Sequence, residues 1–506
     1  MWNDQLRDVT TRRATSRQWA ALGVLVLAVV LLAVDATVLS LAVPALSRDL
    51  GPSATELLWI GDVYSFALAG LLVTMGTLAD RIGRKKLLLT GSAAFGAASV
   101  LAALAPNAGT LIAARLLLGV AGATLMPSTL SIIRNIFTDP RQRTSAIAVW
   151  SAGAGGGAAI GPLVGGVLLS HFWWGSVFLI NVPVMVVLIV AGFFLIPESR
   201  DPAPGRFDLP SALLSMLAII PLVYAVKQTA THGIGAVQVV AAVVAVVSGV
   251  VFVRRQSRLT APLIDVTLFR RPAFSGAVTT NFIAIFAFSG LLFFFSQYLQ
   301  LVRGYSPLRA GLGELPATIA SIVVVGIASL AVSRYGRGRA LAAGLALTSL
   351  GLALLALVAG ADNYGWLALA LVPVGLGVGL ALTLTTDAVV SSVPSKRAGA
   401  ASAISETAYE LGVALGIALL GTMLTIVYRG NIVLPTGVPA DTEAAVRDSL
   451  ASAAAALPPD SELLVAAREA FVHAMQAVSI AAAVIVVVSA VVAWRVVPSD
   501  RTEGRH

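Results

Sequence analysis

Long apolar runs follow one another along almost the whole of this 506-residue chain. About 20 apolar residues in a helix cross the hydrocarbon core of a bilayer, where only helices or closed barrels satisfy their backbone hydrogen bonds. Hydropathy predicts fourteen such helices. They lie at roughly 19–41, 57–77, 87–105, 109–131, 146–170, 176–196, 209–229, 234–253, 275–300, 308–332, 339–360, 364–390, 399–427 and 472–495. Because only 12% of the residues are charged, against about 25% in soluble proteins, we predict an all-α integral membrane protein.

Basic residues are distributed unevenly between the predicted loops. Most of the 34 Lys and Arg residues fall in alternate loops and at the two ends of the chain, which the positive-inside rule assigns to the cytoplasm. The first apolar run is longer than a signal peptide and has no convincing cleavage site, so it is predicted to be a retained helix. We therefore expect a multi-pass protein of the inner (cytoplasmic) membrane with both termini in the cytoplasm. This orientation accounts for the net charge of +9 without nucleic-acid binding.

Several kinds of chemistry find no support in the sequence. The chain has no cysteine, and its four scattered His residues form no zinc pattern, so no metal site is expected. It contains no phosphate-binding loop and no nucleophile elbow. We expect no cofactor and no enzymatic activity. A receptor or a structural role is harder to exclude, but neither explains acidic residues inside several predicted spans.

Charged side chains inside lipid cost about 2.5–3.5 kcal/mol each on insertion scales, so each one indicates a function. Asp35 and Asp62 are predicted to lie roughly 8–10 Å below the outer ends of spans one and two. Arg115 enters span four at a similar depth. Two buried carboxylates beside one cation form a switchable proton site. Interfacial capping is the alternative for the two acids, and a purely structural ion pair is the alternative for Arg115.

Span thirteen carries a second acidic site. Glu406 and Glu410 are one turn apart on the same helical face, and their repulsion predicts that at least one holds a proton unless a cation lies between them. The alternative is a polar seam between packed helices. Glu314 in span ten is a further candidate for proton coupling, although its position beside Pro316 also fits a loop. Aromatic residues near the acids are candidates for cation–π contacts, with packing or anchoring as the alternative: Trp59, Tyr64 and Tyr409.

A short charged segment, residues 76–86, joins spans two and three. Its glycines favour tight turns and close helix approach, and its cations favour the inner membrane surface. The segment resembles the loop signature of the major facilitator superfamily at Gly76, Asp80, Arg81, Gly83 and Arg84. An ordinary positive-inside loop explains the cations but not this spacing. The resemblance implies a role in conformational switching, and a weaker copy at residues 333–337 indicates an internal repeat.

Small residues recur at every fourth position of span five. This spacing lets helices pack closely, and a proline there can kink the helix. Close packing alone would explain the glycines. Together with the proline, however, they resemble the glycine-proline signature of the antiporters of the superfamily, at Gly157, Gly161, Pro162 and Gly165.

The resemblance extends over essentially the whole chain and is closest to the fourteen-helix drug:proton antiporter group, in particular its quaternary-ammonium efflux pumps. It is carried by residues 32–39, 59–65, 126–129, 178–183 and 405–412. Residues 172–175 depart from the wider group, because they lack the arginine usually found between two aromatic residues before span six. The resemblance implies two six-helix bundles at 1–200 and 259–506, two inserted helices at 201–258, and an outward loop at about 428–471.

The same resemblance implies proton-coupled efflux of lipophilic cationic drugs, dyes and quaternary ammonium compounds, with the proton gradient as energy source. The expected partners are these small cations, protons and the lipid bilayer, and the chain is expected to act as a monomer. Export of an endogenous lipid or a self-made antibiotic is the alternative within the transporter class.

Overall fold

The computed structural model describes residues 14–200, 208–233, 235–259, 262, 264–391, 398–435 and 438–497. Every regular element in this part of the chain is a helix. The first six spans comprise α1 (Ser16–Leu50), α2 (Ala54–Ile82), α3 (Arg84–Ala103), α4 (Ala108–Ile136), α5 (Pro140–His171), α6 (Ser176–Leu179) and α7 (Asn181–Leu195). Then follow α8 (Leu209–His232), α9 (Ala236–Gln256), α10 (Pro272–Gln297), α11 (Pro307–Tyr335), α12 (Arg337–Val358), α13 (Tyr364–Ser391), α14 (Ala398–Asn431), α15 (Ala440–Asp448), α16 (Leu450–Ala456) and α17 (Glu462–Val496).

The number of membrane-spanning helices agrees with the sequence. Twelve helices among the described residues are long and apolar enough to cross a membrane, and two bent helices raise the number to fourteen. One of these is α5, which bends by 40° between Ala158 and Ile160. Pro162 explains this bend, because a proline ring clashes with the carbonyl group four residues earlier.

The first and last helices extend furthest beyond the ranges that hydropathy predicts. The first span was expected to end near residue 41, but α1 continues through Pro44 to Leu50. The last was expected to begin near residue 472, but α17 begins at Glu462. Polar side chains end the apolar windows, whereas buried residues such as Leu46 and Leu464 keep both helices packed. Asp35 therefore lies near the middle of its helix, although the sequence placed it close to the end.

The internal repeat is visible in the backbone at two glycines. Gly83 ends α2 and begins α3 with φ 115°, and Gly336 ends α11 and begins α12 with φ 80°. Residues with a Cβ rarely adopt such angles. Equivalent helix pairs of the two halves are thus joined by the same sharp turn, at the side that the charge distribution assigns to the cytoplasm. We call this the inner side and the opposite one the outer side.

The glycines of α5 pack directly against α1, the helix that carries Asp35. A Cβ added at Gly157 would lie 2.6 Å from the Val30 carbonyl oxygen, and one at Gly161 would lie 1.9 Å from the Thr37 hydroxyl oxygen. At Gly165 it would meet the Val38 side chain at 2.4 Å. The stripe of small residues therefore sets the distance between α5 and α1, and with it the position of the α1 backbone around Asp35.

We expect Gly157→Ala to lower export sharply and to destabilise the protein by about 1–3 kcal/mol, because its methyl group meets α1 backbone that cannot rotate away. Gly156→Ala is the matched control, since a Cβ at Gly156 has nothing within 4 Å. Thermal unfolding in detergent and export assays compare the two variants. Equal behaviour of the two would contradict the role assigned to Gly157.

The two halves of the protein meet along an interface that we call the seam, and contacts between them close its outer side. A Cβ added at Gly311 of α11 would lie 2.4 Å from the Pro162 carbonyl oxygen of α5. One added at Gly166 of α5 would lie 2.7 Å from the Leu308 Cα of α11. Gly421 of α14 packs closely on Leu58 of α2, since an added Cβ would lie 2.4 Å from the Leu58 side chain. These positions all lie in the halves of their helices that are nearer the outer side, so the two halves of the protein are in contact there.

The outward segment between α14 and α17 folds over this closure. The Asp448 carboxylate, at the end of α15, accepts hydrogen bonds from the Ala54 backbone N–H at 3.0 and 3.2 Å and pairs with Arg429 at 3.5 Å. Negative charge at a helix N-terminus is favourable because unpaired N–H groups point at it. Asp448 therefore ties the first turn of α2, in the first half, to α14 in the second half.

We expect Asp448→Ala to increase the population opened at the outer side several-fold, because loss of a helix cap costs about 0.5–2 kcal/mol. The chain has no cysteine, so spin labels can be attached to cysteines introduced at Thr55 and Ala444. Asp441→Ala, an exposed acid of the same segment, serves as the control. The expected result is a larger long-distance population for Asp448→Ala alone, and identical distance distributions would contradict it.

Of the two inserted helices, α8 contacts both halves. Met216 packs on Gly70 of α2, and the Ser215 hydroxyl donates to the Gly70 carbonyl at 3.2 Å. Ile219 packs in an apolar cluster with Phe66 of α2 and Ala414 of α14. The insertion thereby covers the seam between α2 and α14 from the lipid side, whereas most of the valine side chains of α9 are exposed.

Candidate functional site

The Asp35 carboxylate is completely buried and bonded to two partners on other helices. Arg115 of α4 approaches its Oδ2 with Nη1 at 3.2 Å, and Asn181 of α7 donates to its Oδ1 at 2.8 Å. Asp35 and Arg115 are both only 1% exposed. A buried ion pair is stable only when its remaining polar atoms are also bonded. The structure thus places the predicted acid and the predicted cation together and adds Asn181, to which the sequence analysis gave no role.

Arg115 connects three helices through one side chain. Besides Asp35, its Nε donates to the Ile60 carbonyl oxygen of α2 at 3.1 Å, and its guanidinium carbon lies 4.6 Å from the centre of the Tyr64 ring. A cation over an aromatic face is stabilised by the negative charge density of the ring. One side of α2 is therefore held against the ion pair of Asp35 and Arg115.

Asp62 lies on another side of α2. Gly61 and Ser65, its neighbours along the helix, contact Phe293 of α10 and Glu410 of α14. Helical geometry places Asp62 on this side as well, facing the second half of the protein and away from Arg115. Its side chain is fully buried. The structure therefore does not bring Asp62 into the predicted carboxylate pair beside Arg115, because helix rotation separates residues that share the same depth.

The acids of α14 approach α2 across the seam. Glu410 is buried, and Ser65 of α2 lies close enough to its carboxylate to interact with it. Glu406 is one turn closer to the inner side and only partly buried. Tyr409 interacts electrostatically with both carboxylates. This places the predicted acid pair and one predicted aromatic residue together between the two halves.

Tyr64 lies between the acids of the two halves. Its phenol interacts electrostatically with both Asp35 and Glu410, while its ring holds Arg115. Trp59, one turn nearer the outer side, contacts the Phe66 ring edge-on, with the ring centres 6.4 Å apart, and packs against the apolar cluster that contains Phe66 and Ala414. The structure thus gives Tyr64 a place in the polar network and Trp59 a place at its apolar margin.

Glu314 is buried within α11, so the interpretation of this residue as part of a loop is wrong. It is 1% exposed, and neither carboxylate oxygen has a hydrogen-bond partner within the described part of the chain. Ser296 of α10 and Tyr364 of α13 lie close enough to interact electrostatically with it. Pro316 is accommodated inside the helix. A buried acid without donors is favoured in its neutral form.

The inner loop between α2 and α3 is held within the first half of the protein. Asp80 pairs with Arg84 at 2.8 Å, and Arg81 is exposed. At Gly83 a side chain would collide with Glu198, whose carboxylate accepts the backbone N–H groups of Lys85 and Lys86 at 3.2 Å. Glu198 thus caps α3, a role that sequence reasoning missed because this residue follows α7, far along the chain.

Gly76 does not lie in the turn itself. It is part of α2, with no positive φ, and an added Cβ would meet Pro127 at an ordinary contact distance of 3.5 Å. Of the two glycines, Gly83 therefore makes the tight turn, whereas Gly76 lies at a contact between α2 and α4.

Comparison with known families agrees with this geometry. Residues 25–417 match the family model described as Major Facilitator Superfamily. The chain belongs to this superfamily. The buried acids accordingly lie in the transporter fold implied by the loop signature, and the protein is a membrane transporter rather than an enzyme.

Several superfamily members resemble the chain over most of its length. The multidrug efflux pump LfrA of Mycolicibacterium smegmatis is 46% identical over 96% of this chain and 97% of its own. The methyl viologen resistance protein SmvA of Salmonella typhimurium is 38% identical over 90% and 93%. A tetracenomycin C resistance and export protein of Streptomyces glaucescens is 33% identical over 81% and 76%.

The fold is also similar to solved transporter structures. A bacterial homologue of the human lysosomal transporter Spinster, in an inward-facing and occupied conformation, has a TM-score of 0.68 at 17% identity, covering 96% of this chain and 98% of its own. At this identity the comparison supports the superfamily fold alone.

We expect Asp80→Asn to lower turnover several-fold with little change in substrate affinity, because the superfamily loop lies at the inner surface and Asp80 holds Arg84 there. Asp139→Asn, an isosteric change at the N-cap of α5 on the same side, is the control, since asparagine caps helices as well as aspartate. Initial export rates and equilibrium binding are measured for both. A selective loss of binding in Asp80→Asn would contradict a switching role.

Proposed function

We propose that the protein exports lipophilic cationic drugs, dyes and quaternary ammonium compounds across the cytoplasmic membrane in exchange for protons. The observation that carries this proposal is the set of buried carboxylates on helices of both halves. Asp35, Asp62 and Glu410 are each at most 7% exposed and lie on helices of both halves. Buried acids in a membrane are costly and are used for proton relay or for binding ions.

The geometry supports a separation of tasks between the acids. Asp35 is already neutralised by Arg115, whereas Glu410 and Glu406 have no basic residue among the groups that interact with them most strongly. A substrate cation can provide that missing charge. Tyr409 lies beside both glutamates, and an aromatic face adds about 0.5–2 kcal/mol to binding of a cation. The ring of Tyr64 already holds Arg115, which makes Tyr409 the stronger substrate contact.

The relatives support the substrate class. LfrA is named a multidrug efflux pump, and SmvA is named for resistance to methyl viologen, a bipyridinium compound with two quaternary nitrogens. Such cations cannot lose their charge to enter lipid, so a transporter must compensate it with its own acids. The α14 carboxylates provide this compensation inside the membrane.

The proton gradient supplies the energy in this proposal. Exchange of one proton for one monovalent cation is electroneutral and is driven by about 1.4 kcal/mol per pH unit. Exchange of two protons moves one net charge and adds about 2.3 kcal/mol per 100 mV of membrane potential. The presence of acids on several helices allows the second stoichiometry.

A second candidate is export of a self-made antibiotic or an endogenous lipid. It is favoured by the similarity to the tetracenomycin C resistance and export protein. A neutral substrate would not need the α14 carboxylates to compensate a charge, and an anionic substrate would be repelled by them when they are ionised. The charge of the exported compound therefore discriminates between the two functions.

Reconstitution in liposomes tests the proposal. Purified protein is given an imposed pH gradient and three dyes of similar size, one cationic, one neutral and one anionic, with a protonophore as control. We expect gradient-dependent uptake into acidic vesicles for the cation alone. Transport of the neutral or anionic compound alone would favour the second candidate, and transport of the cation that is insensitive to the gradient would refute proton coupling.

A further inference from the structure

Asn181 is held in an unusual position beside Asp35. It begins α7 directly after the interruption at Ile180 that separates α6 from α7, and its side chain is fully buried. Its Nδ2 donates both to Asp35 Oδ1 at 2.8 Å and to the Ser99 hydroxyl oxygen of α3 at 3.1 Å. Both hydrogens of the amide are therefore used, on two different helices.

The other end of the same amide is unsatisfied. Asn181 Oδ1 is buried and has no hydrogen-bond partner among the described residues. Ser99 cannot supply one, because its hydroxyl hydrogen is donated to the Phe95 carbonyl oxygen at 2.8 Å. A buried carbonyl left without a donor is costly. In this conformation the amide is therefore oriented entirely toward the ionised form of Asp35.

We propose that Asn181 is a positioning residue that serves both protonation states of Asp35 by rotation of its amide. With Asp35 ionised, Nδ2 donates to the carboxylate, as in the structure. When a proton binds to Oδ1 of Asp35, this oxygen becomes a donor, and the rotated amide accepts it with its own Oδ1. The amide itself neither supplies nor takes up the proton; it only changes from donor to acceptor at that atom. The inference rests on the proposed function, in which Asp35 takes part in proton exchange.

The remaining groups around Asp35 do not change in this way. Arg115 on α4 is permanently charged, and the phenol of Tyr64 on α2 has a reference pKa near 10. On the α5 side, Gly161 packs against Val34 and Thr37 without a charge. When Asp35 is neutral, Arg115 keeps its bond to Ile60 and its contact with the Tyr64 ring. Asn181 is thus the neighbour that can respond to the proton.

Infrared difference spectra of the purified full-length protein, recorded as a function of pH, test this inference. The carbonyl stretch of the protonated carboxyl that disappears in Asp35→Asn is assigned to Asp35, and its pH midpoint is measured. In Asn181→Leu, which keeps the number and branching of the side-chain heavy atoms but makes no hydrogen bonds, we expect a higher band frequency. We also expect a midpoint about one pH unit higher, because a charge-assisted bond to the ionised form is lost. The pH profile of transport in liposomes should shift in the same direction.

Two further variants control the experiment. Asn281→Leu also removes a buried amide, but one bonded to Ser405 instead of a carboxylate, and should leave the Asp35 band in place. Ser99→Ala releases the amide from its second acceptor without a large change in volume. It should raise the pH midpoint of the Asp35 band by a smaller amount. If Asn181→Leu does not fold, Ser99→Ala tests the inference in its place.

The outcomes separate this inference from the proposed function. An Asp35 band with the same frequency and midpoint in the parent, Asn181→Leu and Ser99→Ala would overturn the role of Asn181 while leaving proton-driven export intact. Gradient-driven export without any Asp35-dependent band would also overturn it, because Asp35 would then not take up the proton. Export that is independent of the pH gradient in the parent would refute the proposed function itself.

Discussion

Replacement of Glu410 by glutamine is expected to remove most of the pH dependence of cation binding. In the parent protein, protons and cations compete for the α14 carboxylates, so cation affinity should fall about tenfold per pH unit once the acid is largely protonated. Glutamine keeps the size of the side chain and its place beside Ser65 but carries no proton that a cation can displace. A monovalent cation should still bind weakly through Glu406 and Tyr409.

The experiment measures the dissociation constant of a fluorescent quaternary cation in detergent at several pH values. Glu406→Gln is the matched comparison, because Glu406 lies one turn away and is only partly buried. We expect a flat profile for Glu410→Gln and a shallower but still sloping one for Glu406→Gln. An affinity in the parent that does not change with pH, or an unaltered slope in Glu410→Gln, would remove Glu410 from the coupling mechanism.

Asp35→Asn and Asp62→Asn are both expected to abolish export, but with different effects on stability. Loss of the Asp35 charge leaves Arg115 buried without its partner, which typically costs about 3–5 kcal/mol. Asp62 faces the second half of the protein, away from Arg115, so its replacement by asparagine should be far less destabilising. Export and thermal unfolding are therefore measured together at equal expression.

A double variant separates folding from transport. Asp35→Asn combined with Arg115→Leu removes both charges of the buried pair and should recover much of the lost stability. Export should remain absent, because the proton site is not restored. Normal export by Asp35→Asn and Asp62→Asn at parental expression would show that neither carboxylate is needed, and recovery of export in the double variant would make the pair structural only.

The helical membrane fold can be predicted from hydropathy because a bilayer permits so few backbone arrangements. The internal repeat can also be predicted from the sequence, since Gly83 and Gly336 mark the same turn in both halves. The ends of the helices cannot be predicted in this way, as α1 shows. Pro44 and the polar residues after it end the apolar window, but packing against neighbouring helices continues the helix to Leu50.

The site could be predicted only in part, because the relative depth of two residues in the membrane can be predicted from sequence and rotation about a helix axis cannot. Asp35 and Arg115 were placed at the same depth and do form a pair. Asp62 does not join them, since contacts of Gly61 and Ser65 with the second half fix the rotation of α2. Asn181 was missed because an uncharged amide gives a weak signal. The available hint was a polar residue within an apolar run, two positions before Pro183.

The central claim is that a substrate cation and a proton compete for carboxylates between the two halves. It is tested most directly by the number of protons released when a quaternary ammonium cation binds to the purified protein in weakly buffered detergent solution. Near the pH at which the acids are half protonated, we expect proton release in the parent protein and its loss in Glu410→Gln. Saturable binding without proton release at any pH between about 5 and 9 would contradict the claim, because such a cation would not displace a proton.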